Sequence, residues 1–126
     1  MRKFQLLGLA VLASVSLGAM AQQSPVLFYG IMELSGTGAT PGNNFDNGVK
    51  LAVKEINAAG GILGRKINYV STDTQTNPAV AKAVSQKAID EGAYVVLGPV
   101  HSGSMIVSMG ETRRAEITNF TAEKQP

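Results

Sequence analysis

The chain has 126 residues, no cysteine and one histidine, with 11 Lys and Arg against 9 Asp and Glu. Without cysteine there is no disulfide-stapled scaffold and no thiolate metal centre, and a single histidine is too little for a zinc site. The excess of positive charge is carried by Arg2 and Lys3; without these two, nine basic side chains face nine acidic ones, which excludes the basic surface that nucleic-acid binding needs.

Arg2 and Lys3 open a short basic region, Phe4 to Gly18 is almost entirely apolar and small, and Ala19-Met20-Ala21 is an A-x-A cleavage site. Residues 1–21 therefore read as a secretory signal peptide. The apolar stretch is short for a bilayer span of roughly 20 residues, and no later stretch is long enough. A mature chain starting at Gln22 holds 105 of the 126 residues, enough for one small domain. No lipid-attachment cysteine follows the cleavage site, so the expectation is a freely diffusing protein of the Gram-negative periplasm.

Val26 to Met32 is an apolar run that predicts a buried strand. Asn44 to Ala59 predicts a helix, with Phe45, Val49, Ala52, Val53 and Ile56 forming one apolar stripe and Gly60-Gly61 ending it. Ile67 to Ser71 predicts a second strand. Asn77 then caps a second helix, with Pro78 at its first position and Val80, Val84 and Ala88 on its inner face; Gly92 ends it. Ala93 to Leu97 predicts a third strand, Ser102 to about Arg114 a third helix, and Ile117 to Thr121 a fourth strand.

The alternation β-α-β-α-β-α-β predicts an α/β fold, a parallel sheet with helices on both faces. Continuously apolar strands suit such a sheet, and right-handed crossovers give the spatial order 2-1-3-4. Ligands in these sheets bind beyond the carboxyl ends of the strands where the order reverses, here between strands 1 and 3. The loops at that point are Leu34 to Gly42 and Gly98 to Ser104.

The first loop carries Gly36, Gly38 and Gly42 and superficially resembles a nucleotide loop. A dinucleotide fingerprint needs a glycine where Pro41 stands, with an acid about 20 residues on; the first acid after strand 2 is Asp73. A phosphate loop needs Gly-Lys-Ser/Thr, but Asn43 and Asn44 follow Gly42. No cofactor is expected. The second loop, GPVHSGS, places Ser102, Gly103 and Ser104 at the start of a helix, where free N–H groups and a partial positive charge suit one carboxylate. Ser102 reads either as a helix cap alone or as a carboxylate donor as well; its place at the switch point favours the second. His101 sits at the pocket mouth, placed to touch a ligand. Its side chain diverges from that of Ser102, so no catalytic pair forms. Glu33 and Asp73 are both acids, but nothing in the spacing places them together.

Gly48 to Pro78, GVKLAVKEINAAGGILGRKINYVSTDTQTNP, resembles the periplasmic leucine/isoleucine/valine-binding protein family, and VVLGPVHSGS continues the match to its G-P-x-x-S loop. The resemblance runs from about Val26 to Ala122. It implies a periplasmic binding protein-like fold of two lobes closing over a small solute, usually an amino acid, for an ATP-driven importer with a membrane permease. It also implies that the serine loop, here Ser102 with Gly103 and Ser104, takes the ligand's carboxylate. Three features depart from the family. Pro41 stands near the usual aromatic of the first loop. The small-x-Thr segment after strand 4 is replaced by Ala122-Glu123-Lys124-Gln125, where Glu123 is placed either to accept an ammonium hydrogen bond or to be solvated. The chain stops at Pro126, so residues 22–126 are expected to form an incomplete N-terminal lobe. The expected function is solute binding rather than catalysis. The alternatives are a non-binding remnant associating through its open sheet edge and, behind it, an exported α/β enzyme.

Overall fold

The computed structural model describes residues 23–122. The expected signal peptide, residues 1–21, and Glu123 lie outside them. Seven elements alternate: β1 Val26–Met32, α1 Ala39–Ala58, β2 Ile67–Asp73, α2 Pro78–Asp90, β3 Val95–Leu97, α3 Ser102–Arg114 and β4 Thr118–Phe120. The four strands are parallel in the order β2-β1-β3-β4, as the alternation predicts. No helix among the described residues is long and apolar enough to cross a membrane.

Pleating sends the odd residues of β1 to one face and the even ones to the other. On the first face Tyr29 and Ile31 join Val96 of β3 and Val84 and Ala88 of α2 in the main core, with Ala93 beside them. Each large apolar side chain fully buried there contributes about 1.5–3 kcal/mol. Asn77 caps α2 by accepting from the N–H of Ala79 at 2.8 Å and Val80 at 3.4 Å, and Pro78 sits at the first helical position. Gly92 takes φ 76° just past the helix, as a terminating glycine should. A polar seam joins α2 and α3, in which buried Ser85 Oγ meets Ser108 Oγ at 3.0 Å.

α1 covers the second face over β2 and β1, and it departs from expectation in two ways. It begins at Ala39, five residues before Asn44, so Pro41 lies inside its first turn. There the missing N–H is harmless, because the first N–H groups of a helix have no partner within it. Its fully buried positions are Gly42 and Asp46; Phe45, Val49 and Val53 of the expected stripe are half-buried, while Ala52 is exposed and Ile56 is 37% exposed. Asp46 accepts hydrogen bonds from Tyr69 Oη and Ser71 Oγ, both at 2.7 Å, and pairs with Lys50 Nζ at 2.6 Å. Burial works to raise the Asp46 pKa, but the Lys50 ammonium and the Ser71 and Tyr69 hydroxyls outweigh it and hold the carboxyl below its ordinary value. Burial and the adjacent Asp46 carboxylate push the Tyr69 phenol well up. Gly30 is what admits this cluster: a Cβ there would lie 2.1 Å from Tyr69 Oη.

Beyond α1 no element among the described residues covers the same face over β3 and β4. Phe28, Tyr94, Val95, Leu97, Ile117 and Phe120 line much of an open trough of about 570 Å³, with Tyr94 70% and Phe120 59% exposed.

Two stability tests follow from α1. Asp46→Asn should cost at least about 2 kcal/mol in urea unfolding at pH 7, because two hydroxyls lose a charged acceptor. The folded-state pKa is below the ordinary 3.8, so this contribution is present above that pH and lost as pH falls through the folded value. The gap between wild type and variant should therefore close below pH 3.8, and a constant gap would rule out the charge as its origin. Gly42→Ala puts a Cβ 2.0 Å from the Glu33 carbonyl oxygen and should destabilise by about 1–3 kcal/mol. Gly48→Ala in the same helix meets nothing within 4 Å and should stabilise by about 0.5–1 kcal/mol; thermal unfolding reads both.

Candidate functional site

The carboxyl ends of β1 and β3 open onto a pocket of about 260 Å³ lined by Glu33, Gly38, Pro41, Val100, His101 and Ser102. It lies at the switch point, since β1 has β2 on one side and β3 on the other.

Three polar devices build it. Asp73, at the end of β2, accepts from the N–H of Leu34 at 2.9 Å, Ser35 at 3.1 Å and Gln75 at 2.8 Å, and from Ser35 Oγ at 2.6 Å. Burial pushes this carboxyl up, but the Ser35 hydroxyl and the Gln75, Leu34 and Ser35 amides prevail and hold it below its usual range. Thr76 Oγ1 donates to Ser35 O at 2.8 Å and accepts the Gly38 N–H at 3.0 Å. The glycine loop thus spends the amides of Leu34, Ser35 and Gly38 on the end of β2 and the turn that follows it. Gly36, at φ 79°, and Gly38 allow the close approach, the former within 2.7 Å of Gln75 O for an added Cβ.

The second device is Glu33, the residue after β1. It is fully buried, and its Oε2 accepts the Val100 N–H at 2.9 Å while Oε1 accepts the His101 N–H at 3.3 Å. Glu33 and Asp73 therefore stand at the ends of adjacent strands but serve different loops. Gly38 and Gly42 pack directly on Glu33. Thr121 Oγ1 ties the end of β4 to the same region through Pro99 O at 2.6 Å.

The third is the start of α3. Its N-cap is His101, with no side-chain cap bond, so Ser102 is the first helical residue and does not serve as the cap. Met105 N–H is the first to bond back, to His101 O at 2.9 Å. Among the described residues no hydrogen bond reaches the N–H groups of Ser102, Gly103 or Ser104. A turn with three free amides carries a partial positive charge suited to an anion.

Of the residues singled out in the sequence, His101 and Ser102 are exposed and line the pocket. Gly103 is half-buried and offers only its backbone. Ser104 is fully buried, and its Oγ has no partner, so its side chain is not on the pocket wall. Glu123 lies outside the described residues. Glu33, Gly38 and Val100 were not picked out as lining residues. The available signal for Glu33 was an acid terminating an apolar parallel strand, which is costly unless something there satisfies it. No cluster of three or more metal-ligating side chains occurs among the described residues.

Residues 30–121 match the family model described as periplasmic binding protein. The chain is 41% identical over 97 residues to the leucine-specific-binding protein of Salmonella typhimurium, covering 77% of this chain and 26% of that protein. It is 33% identical over 106 residues to Leu/Ile/Val-binding protein homolog 1 of Brucella abortus, covering 84% and 28%. The crystal structure of a branched-chain amino acid transporter substrate binding protein from Streptococcus pneumoniae, in complex with isoleucine, superposes with a TM-score of 0.75 at 31% identity, covering 77% of this chain and 28% of that one. The chain thus spans about a quarter of the length of the relatives it matches. A parallel sheet in the order 2-1-3-4, a switch-point pocket under a free helix start and a family match over most of the chain make it a member of the periplasmic binding protein family.

Proposed function

We propose that this chain supplies the carboxylate-binding part of a periplasmic solute-binding subunit of an ATP-driven importer, which captures an amino acid or a related small carboxylate and delivers it to a membrane permease. The observation that carries the reading is the first turn of α3: three unpartnered N–H groups, at Ser102, Gly103 and Ser104, of which Ser102 lines the switch-point pocket. A carboxylate docked there exchanges water for charge-assisted hydrogen bonds, which are stronger than neutral ones. The relatives named for leucine, isoleucine and valine support an amino acid as ligand. The pocket's polar groups hold and orient a ligand; nothing in the arrangement activates a nucleophile.

The site's size supports a two-sided receptor. At about 260 Å³ it is below the roughly 300–1,000 Å³ of pockets that enclose a ligand, so a facing lobe is needed for tight capture. The basic, apolar and A-x-A order of residues 1–21 supports export to the periplasm by a cleaved leader. The trough over β3 and β4, uncovered among the described residues, favours a second reading, in which this chain associates through that side of the sheet and captures nothing.

Calorimetric or NMR titration with amino acids and small carboxylates separates the two. Ser102→Ala should weaken a bound carboxylate by about 1–2 kcal/mol without altering unfolding, since Ser102 makes no cap bond. An affinity unchanged by this substitution would remove the ligand from α3.

A further inference from the structure

We propose that two copies of this chain pair face to face, each seating its α1 in the trough that the other presents over β3 and β4. This rests on the second reading above, which it deepens by naming the partner as a second copy, and it does not depend on the α3 site.

The second face of the sheet is divided lengthwise. α1 stands as a ridge over β2 and β1, and the trough, floored by Phe28, Tyr94, Leu97 and Phe120, lies over β3 and β4. The line between ridge and trough runs along the strands between β1 and β3. A two-fold axis on that line carries each ridge over the other copy's trough, the self-complementary contact that a symmetric dimer requires. A two-fold across the strands would set ridge on ridge. With 20 residues, α1 is about 30 Å long and about 10 Å across. Two seated ridges therefore occlude on the order of 1,200 Å² in all, which reaches the range of stable interfaces.

The residues of α1 suit this seat. Asp46 and Asn57 bond to β2, and Gly42 meets Glu33 beyond β1. At 3.6 residues per turn, Phe45, Ala52 and Ile56 then lie on the flank turned from β2 toward β3, and Leu51 points away from the sheet. Leu51, Ala52 and Ile56 are exposed, as are Tyr94 and Phe120 in the trough; the pairing covers them together. Contiguous exposed apolar surface of this kind marks association. The charges match as well. α1 runs against the strands, so its last turns lie at their amino ends, where Glu116 precedes β4. In the pair, Lys54 comes over β4 of the other copy and toward its Glu116. Neither side chain forms an ion pair among the described residues. Glu55, the outward charge beside Lys54, faces the Tyr94 and Thr118 hydroxyls of the other copy, both free to donate.

The test is analytical ultracentrifugation of the whole chain over micromolar concentrations, which should show a monomer–dimer equilibrium and no larger species. Leu51→Asp should raise the dimer dissociation constant at least tenfold, while Ile106→Asp, on the exposed side of α3, should leave it unchanged. Lys54→Glu and Glu116→Lys should each raise it at least tenfold. An equimolar mixture of these two variants should restore the dimer, because both of its charge contacts then join opposite signs. The Lys54 and Glu116 side chains make no hydrogen bond or ion pair among the described residues, so each variant should keep the circular dichroism of the wild type. A chain that stays monomeric overturns the pairing and the second reading together. Self-association that passes beyond the dimer, that Leu51→Asp does not weaken, or in which the charge reversals have no effect or are not rescued by mixing, overturns this pairing alone.

Discussion

Glu33 leaves β1 into a space closed to water, and its charge has to be met by whatever lies there. The N–H groups of Val100 and His101, 67 and 68 residues away in the chain, meet it. That requirement fixes the β3–α3 loop against the end of β1, and so fixes where α3 begins. It also fixes the glycines. A side chain at Gly42 would strike the Glu33 carbonyl, and one at Gly38 would press on its Cβ and Cγ at 3.2 Å. The glycine-rich stretch that superficially suggests a nucleotide loop is in this sense the packing envelope of one acid.

Three carboxylates organise the second face and the upper rim of the sheet, each for a different reason. Asp46 clamps α1 onto β2 through Tyr69 and Ser71. Asp73 gathers the amides of the β1–α1 loop onto the end of β2. Glu33 joins β1 to the start of α3. Asp46 has a lysine and Asp73 has four donors, which is why both carboxyls are held below their ordinary range despite burial. Glu33 has only two amides, and it is the one that borders the pocket.

The parts of this arrangement set by local physics were readable from the chain. β1 is found at its expected bounds, because an unbroken apolar run has few other uses in an alternating pattern. α2 starts at Pro78 behind Asn77 as expected, because capping and proline chemistry are local. The sheet order and the position of the serine loop follow from connection rules, and they are found as expected. What could not be read depends on contacts across the fold. α1 begins five residues early because Pro41 costs nothing in a first turn whose position Glu33 and Thr76 dictate. Asp46 sits within the expected helix but was invisible as a core residue, since its partners are on β2. Ser104 was grouped with Ser102 by proximity, yet helical geometry turns its side chain into the interior while Ser102 stays at the rim. Glu33 was noticed as an acid without a place, because the amides that give it one are brought in only by the β3–α3 crossover.

The walls of the switch-point pocket are held by the chain's own hydrogen bonds. Its unpartnered amides are on a helix, its acid is locked by backbone bonds, and the loop opposite is pinned by Asp73 and Thr76. A ligand meeting this wall loses little to reordering the protein, the usual cost of loop-built sites. Among the described residues the wall lacks enclosure, since Gly38 and Pro41 close only one side of a pocket of about 260 Å³. On the proposed reading orientation and affinity are separable: the start of α3 would set which end of a ligand faces it, while tight retention would need more of the ligand's surface covered than this pocket covers. The same division explains why polar chemistry concentrates at the carboxyl rim of the sheet while the large apolar trough over β3 and β4 carries almost none. The rim gathers the polar groups, and the trough offers apolar area.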